Sequence, residues 1–285
     1  MNHRTIARPI ALGAVALALA LAAGAPDAHA GRGGSFARIR SATQHGNPDA
    51  IVAELEKAEN IPCTSACMTF VLELLDHDSY AVRDAAAWWF ARRPAQMVEV
   101  TERALDRLAS GSSVEVRSAA DALARVGHPR VVPQLAAAIA RSGLSDEARA
   151  HAVRALGKIG HLSANPALAQ AMGDGSAEVR REAIQAWTRI LRQSGADPVV
   201  ALVTDADVSV RRAAAQVVGR FPAAAARASL EGVVVSDPDP AVRRNAAWAL
   251  GRIGDPASRA ALTAASEDAS SLVRMTARAA LRHLR

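Results

Sequence analysis

An arginine recurs along the chain at an interval of 31 to 34 residues. Three residues after each such arginine stands an alanine, and four residues before it stands a serine or an aspartate. This self-similarity is typical of repeat proteins, in which each short unit packs against its neighbours alone. The chain is therefore expected to form a solenoid of seven units. Their repeat arginines are Arg83, Arg117, Arg149, Arg180, Arg211, Arg243 and Arg274.

The residues around each repeat arginine predict a pair of helices. A serine or aspartate suits a helix N-cap, because its side-chain oxygen accepts a bond from a free N–H of the first turn. A glycine such as Gly127 or Gly254 marks the turn that follows, and apolar pairs such as Val199 and Val203 indicate a second helix. The predicted N-caps are Ser79, Ser113, Ser145, Ser176, Asp207, Asp239 and Ser270.

Residues 237–254 show the whole pattern, D-x-x-x-x-V-R-x-x-A-x-x-x-L-G-x-I-G. It resembles the short HEAT repeat first noted in phycobilin (PBS) lyases, over about residues 76–285. The resemblance implies an all-α fold, a right-handed α-solenoid of about seven HEAT-like helix pairs. It also implies bonds along the stack between the repeat arginines and the aspartate of the pattern, in the four C-terminal units. That aspartate is matched by Asp174, Asp205, Asp237 and Asp268, whereas Gly111 and Gly143 replace it in units two and three.

Residues 31–75 lack the repeat pattern. They are predicted to form an N-terminal helical cap, because an end unit of a solenoid must cover an apolar face. One cap helix is expected from Asn47 to about Glu59, and another from Pro62 to Leu75. Residues 76–285 are predicted to form the HEAT-like solenoid.

Residues 1–30 have the three-part pattern of a secretory signal peptide. Arg4 and Arg8 precede a run of 16 apolar or glycine residues, and Ala28-His29-Ala30 offers small residues to a signal peptidase. A membrane anchor is the alternative, but a spanning helix needs about 20 apolar residues. We therefore predict cleavage after Ala30, a periplasmic or secreted protein, and no stable membrane span in the mature chain.

The search for catalytic chemistry is negative. The sequence contains no zinc-protease, serine-hydrolase or phosphate-loop motif. It also has no His-Glu dipeptide, on which HEAT-fold hydroxylases with two irons rely. His77 between Asp76 and Asp78 could supply metal ligands, but no third ligand is near, so a solvated turn is expected. The sequence predicts no enzyme, no catalytic residue, no metal and no cofactor.

Cys63 and Cys67 are the only cysteines. A spacing of four residues fits neither a haem-attachment motif nor a redox C-x-x-C motif. Export would favour a disulfide between them. The direction of the side chains disfavours a disulfide if both residues are helical, and allows it if Cys63 lies just outside the helix. Both states stay open.

A basic strip is predicted at the positions one, five and nine residues after each repeat arginine, which share one helix face. It suggests a groove for an acidic partner segment of another envelope protein, because arginine forks pair with carboxylates. A solvated polar face is the alternative interpretation of the strip. The alternative function is an enzyme or a lyase-type accessory protein that binds a small anionic ligand in the same groove. Export argues against nucleic acid as the partner, although the net charge is +6. The candidate residues are Arg154, Lys158, Arg181, Gln185, Arg189, Arg212, Gln216, Arg220, Arg244, Trp248 and Arg252.

Overall fold

A computed structural model describes residues 35–284 of the chain. Within that range it contains fifteen α-helices, five short 3₁₀ segments and no β-strand. The all-α prediction is therefore confirmed. The signal peptide predicted for residues 1–30 lies outside the described residues and stays a prediction.

Three helices come before the first repeat arginine. They include one helix that the sequence did not predict, because residues 36–44 lack an apolar run. Arg93 ties the segment that follows the second helix to unit one, since its guanidinium donates to the carbonyl oxygens of Glu59 and Ile61 and lies 3.3 Å from the ring centroid of Trp89. The three helices are Phe36–Gln44 (α1), Pro48–Lys57 (α2) and Ser65–Leu74 (α3).

Cys63 lies in the extended segment before α3, whose N-cap is Thr64. The structure joins Cys63 to Cys67 by a disulfide, with 5.4 Å between their Cα atoms. Because Cys63 is outside the helix, its side chain is free to turn toward Cys67. The bond closes the first turn of α3.

Each repeat arginine lies on one helix of its unit, here called the repeat helix. Successive repeat helices pack against one another in chain order and form one layer of the solenoid. They are Tyr80–Ala91 (α4), Ser113–Val126 (α6), Asp146–Ile159 (α8), Ala177–Trp187 (α10), Val208–Arg220 (α11), Pro240–Ile253 (α13) and Ser271–Leu281 (α15).

The returning helices form the second layer. In unit four the returning segment Asp197–Thr204 is a 3₁₀ helix rather than the expected α-helix, although Val199 and Val203 are both buried as the apolar spacing predicts. The α-helices of this layer are Pro94–Ser110 (α5), Val132–Ile139 (α7), Asn165–Ala171 (α9), Arg227–Ser236 (α12) and Arg259–Ala265 (α14).

The N-cap predictions are confirmed in position for six of the seven repeat helices. Ser145, Asp207 and Asp239 accept backbone N–H bonds, whereas Ser79, Ser176 and Ser270 occupy the N-cap without a side-chain bond. The prediction for Ser113 is wrong by one residue. Ser112 is the N-cap there, because Glu115 then closes a reciprocal capping box with it.

Small residues allow the repeat helices to approach closely. All seven alanines three residues after the repeat arginines are fully buried. A Cβ atom at Gly157 would stand 2.7 Å from the Cα atom of Ala186 on the next repeat helix. A Cβ atom at Gly251 would stand 2.7 Å from the Cβ atom of Ala280. Larger side chains at these crossings would push the units apart.

An arginine–aspartate ladder runs along the C-terminal units, as the resemblance implies. In each rung the repeat arginine donates to carbonyl oxygens just before its own helix and to the aspartate of the next unit. The shortest nitrogen–oxygen distances are 2.9 Å for Arg149–Asp174, 2.7 Å for Arg180–Asp205, 2.6 Å for Arg211–Asp237 and 2.7 Å for Arg243–Asp268.

The ladder is irregular at the arginines of units one and two, because glycine replaces the aspartate in the unit that follows each of them. Arg83 instead binds Asp121 at 2.8 Å, and both side chains are buried. Arg117 binds Glu147 through Nη1 at 3.0 Å, but its buried Nε and Nη2 atoms make no hydrogen bond. The rung at Arg117 is thus only partly filled.

Candidate partner-binding groove on the repeat helices

The basic strip lies on one face of the repeat-helix layer. Most of its predicted residues are exposed, but Arg154 and Arg181 are half-buried. Arg189 lies just past the end of α10, because the chain leaves the helix at Trp187, earlier than the pattern predicts. The exposed members are Lys158, Gln185, Arg189, Arg212, Gln216, Arg220, Arg244, Trp248 and Arg252.

At the N-terminal end of the strip, hydrogen bonds and ion pairs between units one and three engage the charged side chains. Lys158 on α8 donates to the hydroxyl of Tyr80 and to Asp84, the latter at 3.1 Å, and both partners lie on α4. Arg125 on α6 also binds Asp84. Burial by itself would raise the pKa of Asp84, but the bonds from Arg125 and Lys158 lower the pKa overall. We call these four residues the bridge cluster.

Small residues of unit two make the bridge cluster sterically feasible. The strip positions of this unit hold Ser118 and Ala122, and both are buried. Because neither side chain reaches across the layer, the long side chains of units one and three meet above α6.

A buried polar network lies beside the bridge cluster. Asp121 accepts bonds from Arg83 and from Nδ1 of His151, at 2.8 and 2.7 Å. Nε2 of His151 lies 3.2 Å from Nη1 of Arg154, which can only donate, so the neutral imidazole donates from Nδ1 and accepts at Nε2. Arg154 also binds Glu182 at 3.1 Å. Both ring nitrogens are thus occupied, and the network offers no free base.

These contacts take two candidate residues out of the open part of the strip. Arg154 and Lys158 face carboxylates of their own chain, at Glu182 and Asp84. The sequence did not reveal this pairing, because residues in different units meet here. The available signal was an acidic residue, Asp84, at a strip position two units before a basic one.

The strip is open over units four to six. Arg189, Arg220 and Arg252 occupy the same position after three successive repeat arginines, and all three are exposed. Among the described residues, no carboxylate lies within 4 Å of any of them. We call these three residues the free row. They contrast with the repeat arginines of the same three units, each of which binds an aspartate.

The remaining strip arginines are partly engaged. Arg212 binds Asp239 at 2.8 Å, and Arg181 lies 3.9 Å from Glu182. Arg244 donates to Oδ1 of the adjacent Asn245, whose own amide donates to the carbonyl oxygen of Arg212. Asn245 therefore orients Arg244 without neutralising its charge.

Trp248 stands in the middle of the open strip and is 40% exposed. It separates two depressions in the surface. One, of about 400 Å³, is bordered by Arg212, Gln216 and Arg244. The other, of about 660 Å³, is bordered by Arg252, Arg282 and His283, with Gly251 and Ala280 at its base. The indole thus presents an apolar surface between cationic side chains.

Two negative observations apply to residues 35–284. No group of three histidine, cysteine, aspartate or glutamate side chains in this range could hold a metal ion. At His77, Nδ1 accepts a bond from the backbone N–H of Ser79, and the neighbouring Asp76 binds Arg107. None of the helices between residues 35 and 284 has both the length and the hydropathy that a membrane span requires.

Comparisons with known structures report the same architecture. The chain is similar to the YibA protein of Escherichia coli, at 14% identity and a TM-score of 0.58, over 87% of this chain and 92% of that one. It is similar to importin beta, at 16% identity and a TM-score of 0.51, over 87% of this chain and 41% of that one. The complex of CpcE and CpcF of phycocyanin lyase from Nostoc matches at 19% identity and a TM-score of 0.41, over 80% and 97% of the two chains.

These similarities concern the fold alone, since every identity is low. No curated protein matches the chain. Two family profiles match the sequence. The profile of the PBS lyase HEAT-like repeat matches residues 116–141, and the profile of HEAT repeats matches residues 137–200 and 196–282. The HEAT-repeat match extends over more than half of the chain, and the chain therefore belongs to the HEAT-repeat family.

Proposed function

We propose that this protein is a non-catalytic interaction protein that binds an acidic segment of a partner protein along the open part of the basic strip. A HEAT-repeat solenoid is compatible with a protein-interaction scaffold, because stacked units offer a long continuous surface. The observation that carries the proposal is the free row. Three exposed arginines in consecutive units lack an internal carboxylate, while the repeat arginines beside them are paired.

The electrostatics of this surface favour an acidic partner. A guanidinium forms paired, charge-assisted bonds with a carboxylate. Arginine and tryptophan are also the side chains most enriched among residues that dominate binding energy at interfaces. The open strip contains both residue types, arginine in the free row and tryptophan at Trp248. A peptide that carries carboxylates beside apolar groups therefore matches this surface.

The buried network supports the non-catalytic part of the proposal. A general base needs a nitrogen or oxygen within reach of a substrate proton. In His151 both ring nitrogens are engaged by side chains of the protein, and the imidazole is buried. The lysine and the carboxylate of the bridge cluster neutralise each other.

A cell-envelope location is part of the same proposal and rests on the sequence of residues 1–30. The test is a fusion of these residues to a reporter enzyme that is active only after export. Activity outside the cytoplasm, and a mature N-terminus at Gly31 by mass spectrometry, are the expected results. An inactive reporter contradicts export.

The binding proposal is tested with a fluorescein-labelled acidic peptide of about 15 residues that carries five glutamates. Fluorescence anisotropy measures its affinity for the protein and for the variant R189Q/R220Q/R252Q. Loss of three exposed ion pairs is expected to weaken binding at least about tenfold. The effect should shrink at high salt, because ions screen exposed charges.

A matched control has the same change in net charge outside the strip. Arg40, Arg130 and Arg259 are exposed and have no carboxylate within 4 Å in the described chain. The variant R40Q/R130Q/R259Q is expected to keep the affinity of the unchanged protein. Equal weakening in both variants would mean that the peptide responds to net charge and not to the groove.

A further inference from the structure

The spacing of the free row limits which conformation of an acidic segment can reach all three arginines. Arg220 and Arg252 lie on α11 and α13, and Arg189 follows the end of α10 by two residues. The three helices pack in the order α10, α11, α13. Helices packed face to face lie about 8 to 10 Å apart. At the crossing of α11 and α13 the small residue is Gly219, where a Cβ atom would come within 2.2 Å of the indole of Trp248.

Three backbone conformations can be compared with this spacing. An α-helix rises about 1.5 Å per residue, so two positions of a helical partner that are about 9 Å apart are separated by about six residues. Side chains six residues apart point to different sides of the helix. A β-strand covers the distance in about three residues, but its side chains alternate between faces with a period of two. A polyproline II helix has three residues per turn and rises about 3.1 Å per residue, so every third side chain returns to the same face after about 9.3 Å.

We infer that the partner segment binds in a polyproline II conformation with a carboxylate at every third residue, one for each arginine of the free row. This inference rests on the proposed function and adds the conformation and sequence period of the partner. It agrees with the position of Trp248 beside Arg252, since proline-rich segments dock on aromatic side chains.

One depression beside Trp248 can take a residue that lies between two carboxylates. It has a volume of about 660 Å³ and is lined by Trp248 and by Arg252 of the free row. A proline or another small apolar residue fits against the indole there, while the adjacent carboxylate reaches an arginine. Proline residues already restrict the backbone dihedral angles of the unbound partner segment. Less conformational entropy is therefore lost on binding.

The test compares two labelled peptides of identical composition. One repeats Glu-Pro-Ala five times, and the other places the five glutamates in one block before the prolines and alanines. Circular dichroism first verifies the polyproline II content of each. A block of five glutamates extends only about 12 Å at a rise of 3.1 Å per residue, so it cannot reach all three arginines.

The periodic peptide is expected to bind about threefold tighter than the block peptide, which corresponds to one additional exposed arginine–carboxylate pair. The preference should disappear in R220Q, which removes the middle arginine of the free row. In R130Q, the control outside the strip, the preference should remain. Equal affinities for the two peptides overturn the inference and leave the proposed function intact.

Two other outcomes concern the proposed function itself. Failure of both peptides to bind the unchanged protein overturns the proposal of an acidic segment, and with it this inference. Labelled oligothymidylate of similar charge, run in parallel, tests a different polyanion. Tighter binding of the oligonucleotide than of either peptide overturns both statements, because a regular phosphate backbone would then be the better partner.

Discussion

Gly219 lies beneath the indole ring of Trp248, and a Cβ atom at residue 219 would stand 2.2 Å from Cε3 of that ring. The two residues belong to neighbouring repeat helices, α11 and α13. The missing side chain at residue 219 gives the indole its place on the open strip. The apolar centre of the groove therefore depends on a glycine that contacts no partner.

Replacement of Gly219 by alanine tests this dependence. The added methyl group must displace the indole, so we expect destabilisation of about 1 to 3 kcal/mol, typical of an overpacked site, with a shift in tryptophan fluorescence. Gly232 on α12 is the matched control, because nothing lies within 4 Å of a Cβ atom there. G232A should be neutral or stabilise by up to about 1 kcal/mol through helix propensity. Equal effects of the two variants on urea unfolding would contradict the contact.

The arginine–aspartate ladder is expected to be a main stabilising feature of the stack. Asp237 is almost fully buried and binds Arg211 at 2.6 Å. D237A leaves the guanidinium without its carboxylate, which should cost about 3 kcal/mol in the free energy of unfolding. Glu178, an exposed residue without an ion pair in the described chain, serves as the control, and E178A should change stability by less than about 0.5 kcal/mol. A similar small effect of D237A would show that the ladder does not stabilise the stack.

Replacing the arginine of the incomplete rung, Arg117, should affect the stability of the protein differently from replacing the arginine of a complete rung. Two of its buried nitrogen atoms make no hydrogen bond, whereas Arg180 donates to Asp205 and to two carbonyl oxygens. R117M should therefore be nearly neutral or stabilising, since an apolar side chain removes unsatisfied polar atoms. R180M should destabilise by about 2 to 4 kcal/mol. Thermal unfolding of the two variants distinguishes them, and a larger loss for R117M would refute this interpretation.

The ladder also predicts acid sensitivity. The bond from Arg243 lowers the pKa of Asp268, and this effect outweighs burial, which raises the pKa. A carboxyl group whose pKa is lower in the folded state stabilises the fold above its unfolded pKa of about 3.9, and this contribution is lost as the pH falls through the folded value. D268N should therefore show a smaller loss of stability than the unchanged protein between about pH 5 and pH 3. Parallel pH curves for the two proteins would exclude this contribution.

The sequence predicted the layer of repeat helices because its pattern is local and repeated. Caps, buried alanines and ladder aspartates each occur at a fixed distance from an arginine, so one alignment located all of them. Predictions were less accurate where this register is interrupted. Ser113 was placed one residue too far, and the returning segment of unit four is a 3₁₀ helix.

The division of the basic strip could not be predicted from the same pattern. Lys158 and Asp84 are 74 residues apart, and they meet only because units one and three face each other across the small side chains of unit two. Likewise, the open space beside Trp248 depends on how two helices cross. Such contacts between units depend on how the helices pack, which a periodic sequence does not specify.

The most direct test of the central claim is a charge exchange between the free row and its peptide. The variant R189E/R220E/R252E and the unchanged protein are each titrated with the periodic glutamate peptide and with its lysine counterpart. We predict that the unchanged protein binds the glutamate peptide alone, and that the variant loses this binding and gains affinity for the lysine peptide. If the variant still binds the glutamate peptide and does not bind the lysine peptide, these three arginines do not contact the partner.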